Sequence, residues 1–280
     1  MTLRRIGFAY NPTIEPAVEL RERAAGWCQL RGIDNWAAPA GEMDLHGDEL
    51  SGTDVVVVLG GDGTFLRAAD AIATADVPIL GINLGKIGFL SKAEAHELEA
   101  VLGKLRDGEY TIGNRMALSG SILPGGRPST TRFTALNDIV VARGSLARVV
   151  RMDVSIDESH LATFVADGLV VSSPTGSTGY SFSAGGPILD PTSRNLIVTP
   201  IAGYLSAIRS VVVSPEQVVR CRVIDAHEAL VSIDGREDLP ISVGDVVEVR
   251  ALDRPIRFVE PKGSLPFWDL LRTKVQLLPS

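Results

Sequence analysis

The stretch from Val55 to Arg67, VVVVLGGDGTFLR, limits the folds open to this chain more than any other. Four valines and a leucine run without a polar residue into Gly60-Gly61-Asp62-Gly63-Thr64. A short apolar run rich in β-branched residues and stopped by glycine predicts a strand covered on both faces. The pattern that follows predicts a helix over Phe65 to Ala73. Glycines at such a turn let backbone N–H groups approach a ligand, and the start of a helix favours an anion such as phosphate. Asp62 is out of place there. A carboxylate repels phosphate unless it binds a metal or accepts a proton during reaction; the plainer alternative is an Asp cap on an ordinary strand-to-helix turn. The spacing is neither GxGxxG nor GxxxxGK[ST], so neither common nucleotide fingerprint applies.

The chain around this turn alternates in type. Arg5 to Tyr10 predicts a first strand ended by Asn11-Pro12, since that pair starts a turn. Ala17, Leu20, Ala24, Trp27 and Cys28 fall at helical spacing, with Pro16 suited to the first turn and Gly32 to the end. Ile33 to Trp36 reads as a second strand, 39–53 as a loop or short helix, and Val77 to Asn83 as another buried strand. Ala95, Leu98, Leu102 and Leu105 predict a further helix. Strands alternating with helices over short connections predict an α/β layered domain, Rossmann-like, with a mostly parallel sheet, over residues 1–113. Ligands of such sheets sit at the carboxyl ends of the strands.

Near Asn114 the pattern changes. Short apolar or alternating runs at Ala117–Leu123, Phe133–Arg143, Arg151–Ile156, Ala162–Ser172, Val218–Ile224, Ala229–Ile233 and Val246–Leu252 are separated by Gly, Pro, Ser and Asp. They predict an all-β sandwich or similar β domain over 114–264. A helix over 265–280 is expected to return to the first domain. Within the β region, Val165 to Pro191, VADGLVVSSPTGSTGYSFSAGGPILDP, crowds hydroxyls and glycines into a few positions. Such a surface suits a sugar and a phosphate, and two segments of this kind in separate domains point to a cleft between them. Asp138, Asp167 and Asp234 stand near it; the Asp-Gly pairs among them are also common turn formers.

Composition excludes other classes. The net charge of -7 argues against an electrostatic nucleic-acid binder, and no apolar run approaches the ~18 residues of a membrane helix. Arg4 and Arg5 precede an apolar stretch too short for a signal-peptide core. The two cysteines, Cys28 and Cys221, make no CxxC pair and no disulfide framework. Four scattered histidines lack metal-ligand spacing. A cytoplasmic protein is expected.

Taken together, GGDGT at 60–64, NLGKIGFL at 83–90, Asn137-Asp138, Asp167-Gly168, PTGSTGYSFSAGGP at 174–187 and Ile233-Asp234-Gly235 resemble the NAD kinase family, in the family's order. The GGDGT turn is shared with lipid kinases of the diacylglycerol and sphingosine type; the PTGSTGYSFSAGGP segment is far more specific. The resemblance implies phosphoryl transfer from ATP or a polyphosphate to the adenosine ribose 2′-hydroxyl of NAD, by a homodimer or homotetramer. It implies Asp62 as the catalytic residue and Phe89 as an adenine-side contact. Gly63, Asn137, Asp138, Asp167, Thr178, Gly179, Tyr180, Ser183 and Asp234 are implied at the NAD site. Gly60, Gly61, Gly63, Thr64 and Arg67 are implied around the donor's phosphates, with a divalent ion such as Mg²⁺ whose ligands the sequence leaves open. Asp138 stands where the family most often has Glu, and Gly179 where it has Ala. A lipid kinase or a non-catalytic NAD-binding regulator are the competing readings; neither an apolar lipid channel nor a loss of Asp62 favours them.

Overall fold

The strand-and-helix alternation of the first hundred residues folds as one sheet. In the computed structural model, residues 3–85, 88–129, 131–144, 148–204 and 208–276 are described. Lys86-Ile87 of the expected glycine-punctuated loop and the end of the expected terminal helix lie outside them. The chain divides into two units, Met1–Asn114 with Ile256–Ser280, and Arg115–Pro255.

In the first unit, β1 (Arg5–Tyr10), β2 (Asp34–Pro39), β3 (Val55–Leu59) and β4 (Ile79–Asn83) run parallel in the order β2-β1-β3-β4. All five residues of β3 are buried. Val55, Val57 and Leu59 share a core with the helices Glu15–Gln29 and Leu98–Arg106, through Leu20, Ala24, Leu98 and Leu102 among others. On the opposite face Phe65, from the helix Asp62–Ala71, lies against Gly81 of β4. A sheet covered on both faces is why β3 has no polar residue. Chain order reverses between β1 and β3, so the turn after β3 stands at a switch point of the sheet.

Two expectations change here. The helix begins at Asp62 rather than Phe65, because extended Gly61 serves as its N-cap and Asp62 already has helical geometry. Residues 256–261, placed by the expected boundary in the β domain, form the strand Ile256–Pro261, which pairs with β4 through Phe258 and Ile79 and belongs to the first unit. Phe258 is buried there with its ring 5.0 Å from that of Phe65. The helix Phe267–Gln276 follows in the same unit.

The second unit is two six-stranded antiparallel sheets. Inward residues of both, such as Met152, Val154, Cys221 and Val247 from one and Ile139, Val141, Leu169 and Val231 from the other, form its core. The expected run Phe133–Arg143 is two strands, Arg132–Ala135 and Asp138–Arg143, in different sheets. The run Ala162–Ser172 likewise splits into Ser159–Ala166 and Gly168–Ser172. At Leu136-Asn137 and at Asp167, therefore, the chain crosses from one sheet to the other. Strands Leu196–Ile201, Val211–Val213 and Glu237–Ile241 were not expected from the sequence.

Candidate functional site

The first unit presents one carboxylate at the switch point. The Thr64 and Phe65 N–H groups turn back onto Gly61 O at 3.0 Å, while the earliest N–H groups of a helix have no acceptor within it. Gly60 is a packing requirement, since a Cβ there would stand 2.7 Å from Thr64 Oγ1. Thr64 is itself buried, so its side chain seats the turn from beneath. The space beside Gly63 is open, and Gly63 and Arg67, one helical turn apart, are both exposed.

Asp62 opens the helix and turns its carboxylate toward a neighbouring loop. Its Oδ2 accepts the Phe89 N–H at 3.4 Å, from the loop after β4. A Cβ on Gly88 would lie 2.1 Å from Asp62 Oδ1, so only glycine lets the carboxylate rest against that loop. Asp62 Oδ1 is buried and has no hydrogen-bond partner. That is an acceptor held ready for a donor, because a buried acceptor left unpaired costs about 1–3 kcal/mol.

The second unit brings five of the expected NAD-site residues, Asn137, Asp138, Gly179, Tyr180 and Asp234, to one pocket of about 440 Å³. Its floor is the outer face of a sheet, where Val140 and Ala142 pair with Ser232 and Leu230. Sequence reading missed these floor residues; their signal was alternation, small or apolar side chains between the core positions of two strands. The pocket joins an apolar floor to a polar end, which suits a base and its ribose. Thr178 is partly buried, and Gly179, Tyr180 and Ser183 are exposed beside it.

Asp234 has a different task from Asp138. It sits at φ 51 with Gly235 at φ 61, a turn that Asp-Gly favours. Its carboxylate accepts the N–H groups of Leu136 at 2.9 Å, Asn137 at 2.8 Å and Asp138 at 3.0 Å. The side chain is only 1% exposed, with Arg236 3.8 Å away. The Leu136–Asp138 sheet crossing is thereby held by a carboxylate, and Asp234 shapes the pocket from behind. Burial raises its proton affinity, while those N–H groups and Arg236 oppose the rise. Asp138 is pushed up to about 7, by burial first and then by the Asp234 charge. Both carboxyl groups therefore hold a proton more readily than an exposed aspartate does.

The hydroxyl-rich segment is less open than its composition suggests. Ser172, Ser173 and Ser177 are fully buried and donate to backbone carbonyls, Ser173 Oγ to Leu136 O at 2.5 Å and Ser177 Oγ to Pro174 O at 2.7 Å. Much of the hydroxyl-rich segment thus braces the Asn137 crossing from within; a Cβ on Gly176 would stand 2.2 Å from Asn137 O. Asp167 is not at this pocket. It pairs with Arg143 at 3.0 Å, at the far end of the strand that begins with Asp138, about 17 Å along the strand at its usual rise. Asp62 and Phe89 belong to the first unit, away from this group in the chain.

A Rossmann-like unit with an acid-bearing glycine turn, together with a β-sandwich holding a nucleoside-sized pocket, defines a nucleotide-dependent phosphotransferase. Models of known families agree. The ATP-NAD kinase N-terminal domain matches residues 13–110 and the C-terminal domain residues 136–261. An NAD kinase of Dehalococcoides mccartyi is 37% identical over 273 residues, covering 98% of this chain and 96% of its own. That of Moorella thermoacetica is 39% identical, covering 97% and 83%. Among solved structures, yeast NADH kinase complexed with NADH matches with a TM-score of 0.85 at 25% identity, over 99% of this chain and 88% of its own. An Archaeoglobus fulgidus NAD kinase in complex with ATP matches at 0.78 and 26% identity, over 98% and 100%. The chain belongs to the ATP-NAD kinase family. Its reaction is the phosphorylation of NAD to NADP.

Proposed function

We propose that Asp62 accepts the proton of the adenosine ribose 2′-hydroxyl of NAD as the donor's terminal phosphoryl group is transferred to that oxygen. The unpaired, buried Oδ1 of Asp62 carries this reading. A sugar hydroxyl is too weak an acid to ionise beforehand, so the carboxylate need only take the proton late in transfer. Most of the rate enhancement in a loose transition state comes from positioning and charge stabilisation. ATP is the donor, in keeping with the Archaeoglobus relative solved with ATP. Its phosphates lie along the open edge at Gly61 and Gly63, with Arg67 one turn further on. Among the described residues no three His, Cys, Asp or Glu side chains converge. A Mg²⁺ ion would be held by the donor's phosphates together with Asp62, the carboxylate at the turn. When bound, such an ion neutralises phosphate charge.

The Asn137–Asp138 end of the second unit's pocket holds ribose hydroxyls, and the sheet floor takes the flat face of a base. Thr178, Gly179, Tyr180 and Ser183 border the same ligand. The protein works as a homodimer or homotetramer in the cytoplasm; among the described residues no helix is long and apolar enough to cross a membrane. The test is Asp62→Asn, assayed with NAD, ATP and Mg²⁺, with diacylglycerol and a sphingoid base as control acceptors. The expected result is a kcat lowered roughly 10²–10⁴-fold, no lipid product, and unchanged folding. A variant as fast as the parent would remove Asp62 from this role.

A further inference from the structure

The C-terminal helix Phe267–Gln276 turns one face toward the loop that carries the Asp62 partner. Phe267 and Lys274 are seven residues apart, on the same side of a helix. Both reach Phe89: the Phe267 ring centroid lies 6.3 Å from that of Phe89, and Lys274 Nζ stands over the Phe89 ring at 5.6 Å. Trp268 packs edge-on against Phe267, with centroids 4.9 Å apart. Leu270 anchors the helix, being 5% exposed. The Phe89 N–H in turn meets Asp62 Oδ2.

We infer that Phe267 and Lys274 are positioning residues for phosphoryl transfer, acting through Phe89 to hold the Asp62 carboxylate. The inference rests on the reading of Asp62 as proton acceptor. A ring in contact with a second, tilted ring and with a cation cannot swing freely, so the N–H on the same residue keeps its aim. Without that grip the carboxylate is left with a single loose bond. A misplacement of an ångström at a reacting group can cost ~10²-fold in rate. The contact also gives Phe89 a second duty beside the adenine contact implied by its sequence.

The experiment compares Phe267→Ala, Phe267→Tyr and Lys274→Met with the parent in the full chain, at saturating NAD and ATP. Phe267→Ala is expected to lower kcat about tenfold while the KM values for NAD and ATP stay within about twofold. Phe267→Tyr, which keeps the ring, should recover most of the rate. Lys274→Met, which keeps the stem and loses the charge, should fall between them. Melting temperature and far-ultraviolet circular dichroism establish that the fold is intact. The decisive readout is Phe267→Ala in the Asp62→Asn background, where it should have little further effect, because residues acting through one another are non-additive. The same tenfold loss in that background, or a change in KM alone, would overturn the inference and leave the Asp62 reading standing. A fully active Asp62→Asn would instead bring down the reading itself.

Discussion

Gly88 lies so close to the Asp62 carboxylate that no side chain fits at that position. A methyl on Gly88 would meet Asp62 Oδ1 at 2.1 Å, so Gly88→Ala must push the carboxylate off the loop. The expected loss is roughly 10²-fold in kcat, with KM for ATP little changed, measured by steady-state kinetics. Asp138 yields a prediction of another kind. Its folded pKa of about 7 lies above that of an exposed aspartate, raised by burial and by Asp234. The folded state therefore holds a proton that the unfolded chain has lost between about pH 4 and 7, and stability falls as pH rises across that window. Above it the loss is complete. Asp138→Asn removes this residue's share of the dependence, so the variant should be more stable than the parent at pH 8, by a few kcal/mol at most, and no more stable near pH 4. Urea unfolding at the two pH values checks this.

At the scale of elements, the crossing at Leu136–Asp138 depends on the turn that carries Asp234. Asp234→Ala would leave three N–H groups without their acceptor and place alanine at φ 51. A loss of at least about 3 kcal/mol is expected by denaturant unfolding, together with a higher KM for NAD. Asp234→Asn, which keeps an acceptor oxygen and tolerates positive φ, should lose less. The strands and helices of the first hundred residues were legible because apolar runs and helical spacing declare themselves locally, and the acid in the glycine turn stood out by its charge. Other features depended on partners distant in sequence. Nothing near Ser173 announces that its hydroxyl will turn inward to Leu136 O. Nothing near Asp167 reveals that it will be taken by Arg143, nor near Phe89 that a helix some 180 residues later will grip it. The placement of residues 256–261 was missed for the same reason: their pairing with β4 and the packing of Phe258 on Phe65 join positions far apart in the chain.

For the whole molecule, that strand means the first unit is built from two separate pieces of chain. A fragment of residues 1–113 lacks Phe258 and Val259, both buried in the intact unit. It would open the edge of β4 and uncover Phe65, forfeiting about 2–3 kcal/mol for each large side chain exposed and leaving an unpaired strand prone to aggregation. The second unit has no such dependence. Its strands pair among themselves, and its ends meet, since Leu118 pairs with Ala251 and the Leu252 N–H donates to Ala117 O at 2.8 Å. Residues 115–255 should therefore fold alone, with a cooperative urea transition and dispersed amide resonances. Residues 1–113 alone should be insoluble or molten. Joining 1–114 directly to 256–280 through a short flexible linker should restore a folded first unit, because the excised unit begins and ends at neighbouring positions. If 1–113 were as stable as the joined chain, Ile256–Pro261 would not be the structural strand of that sheet that its burial requires.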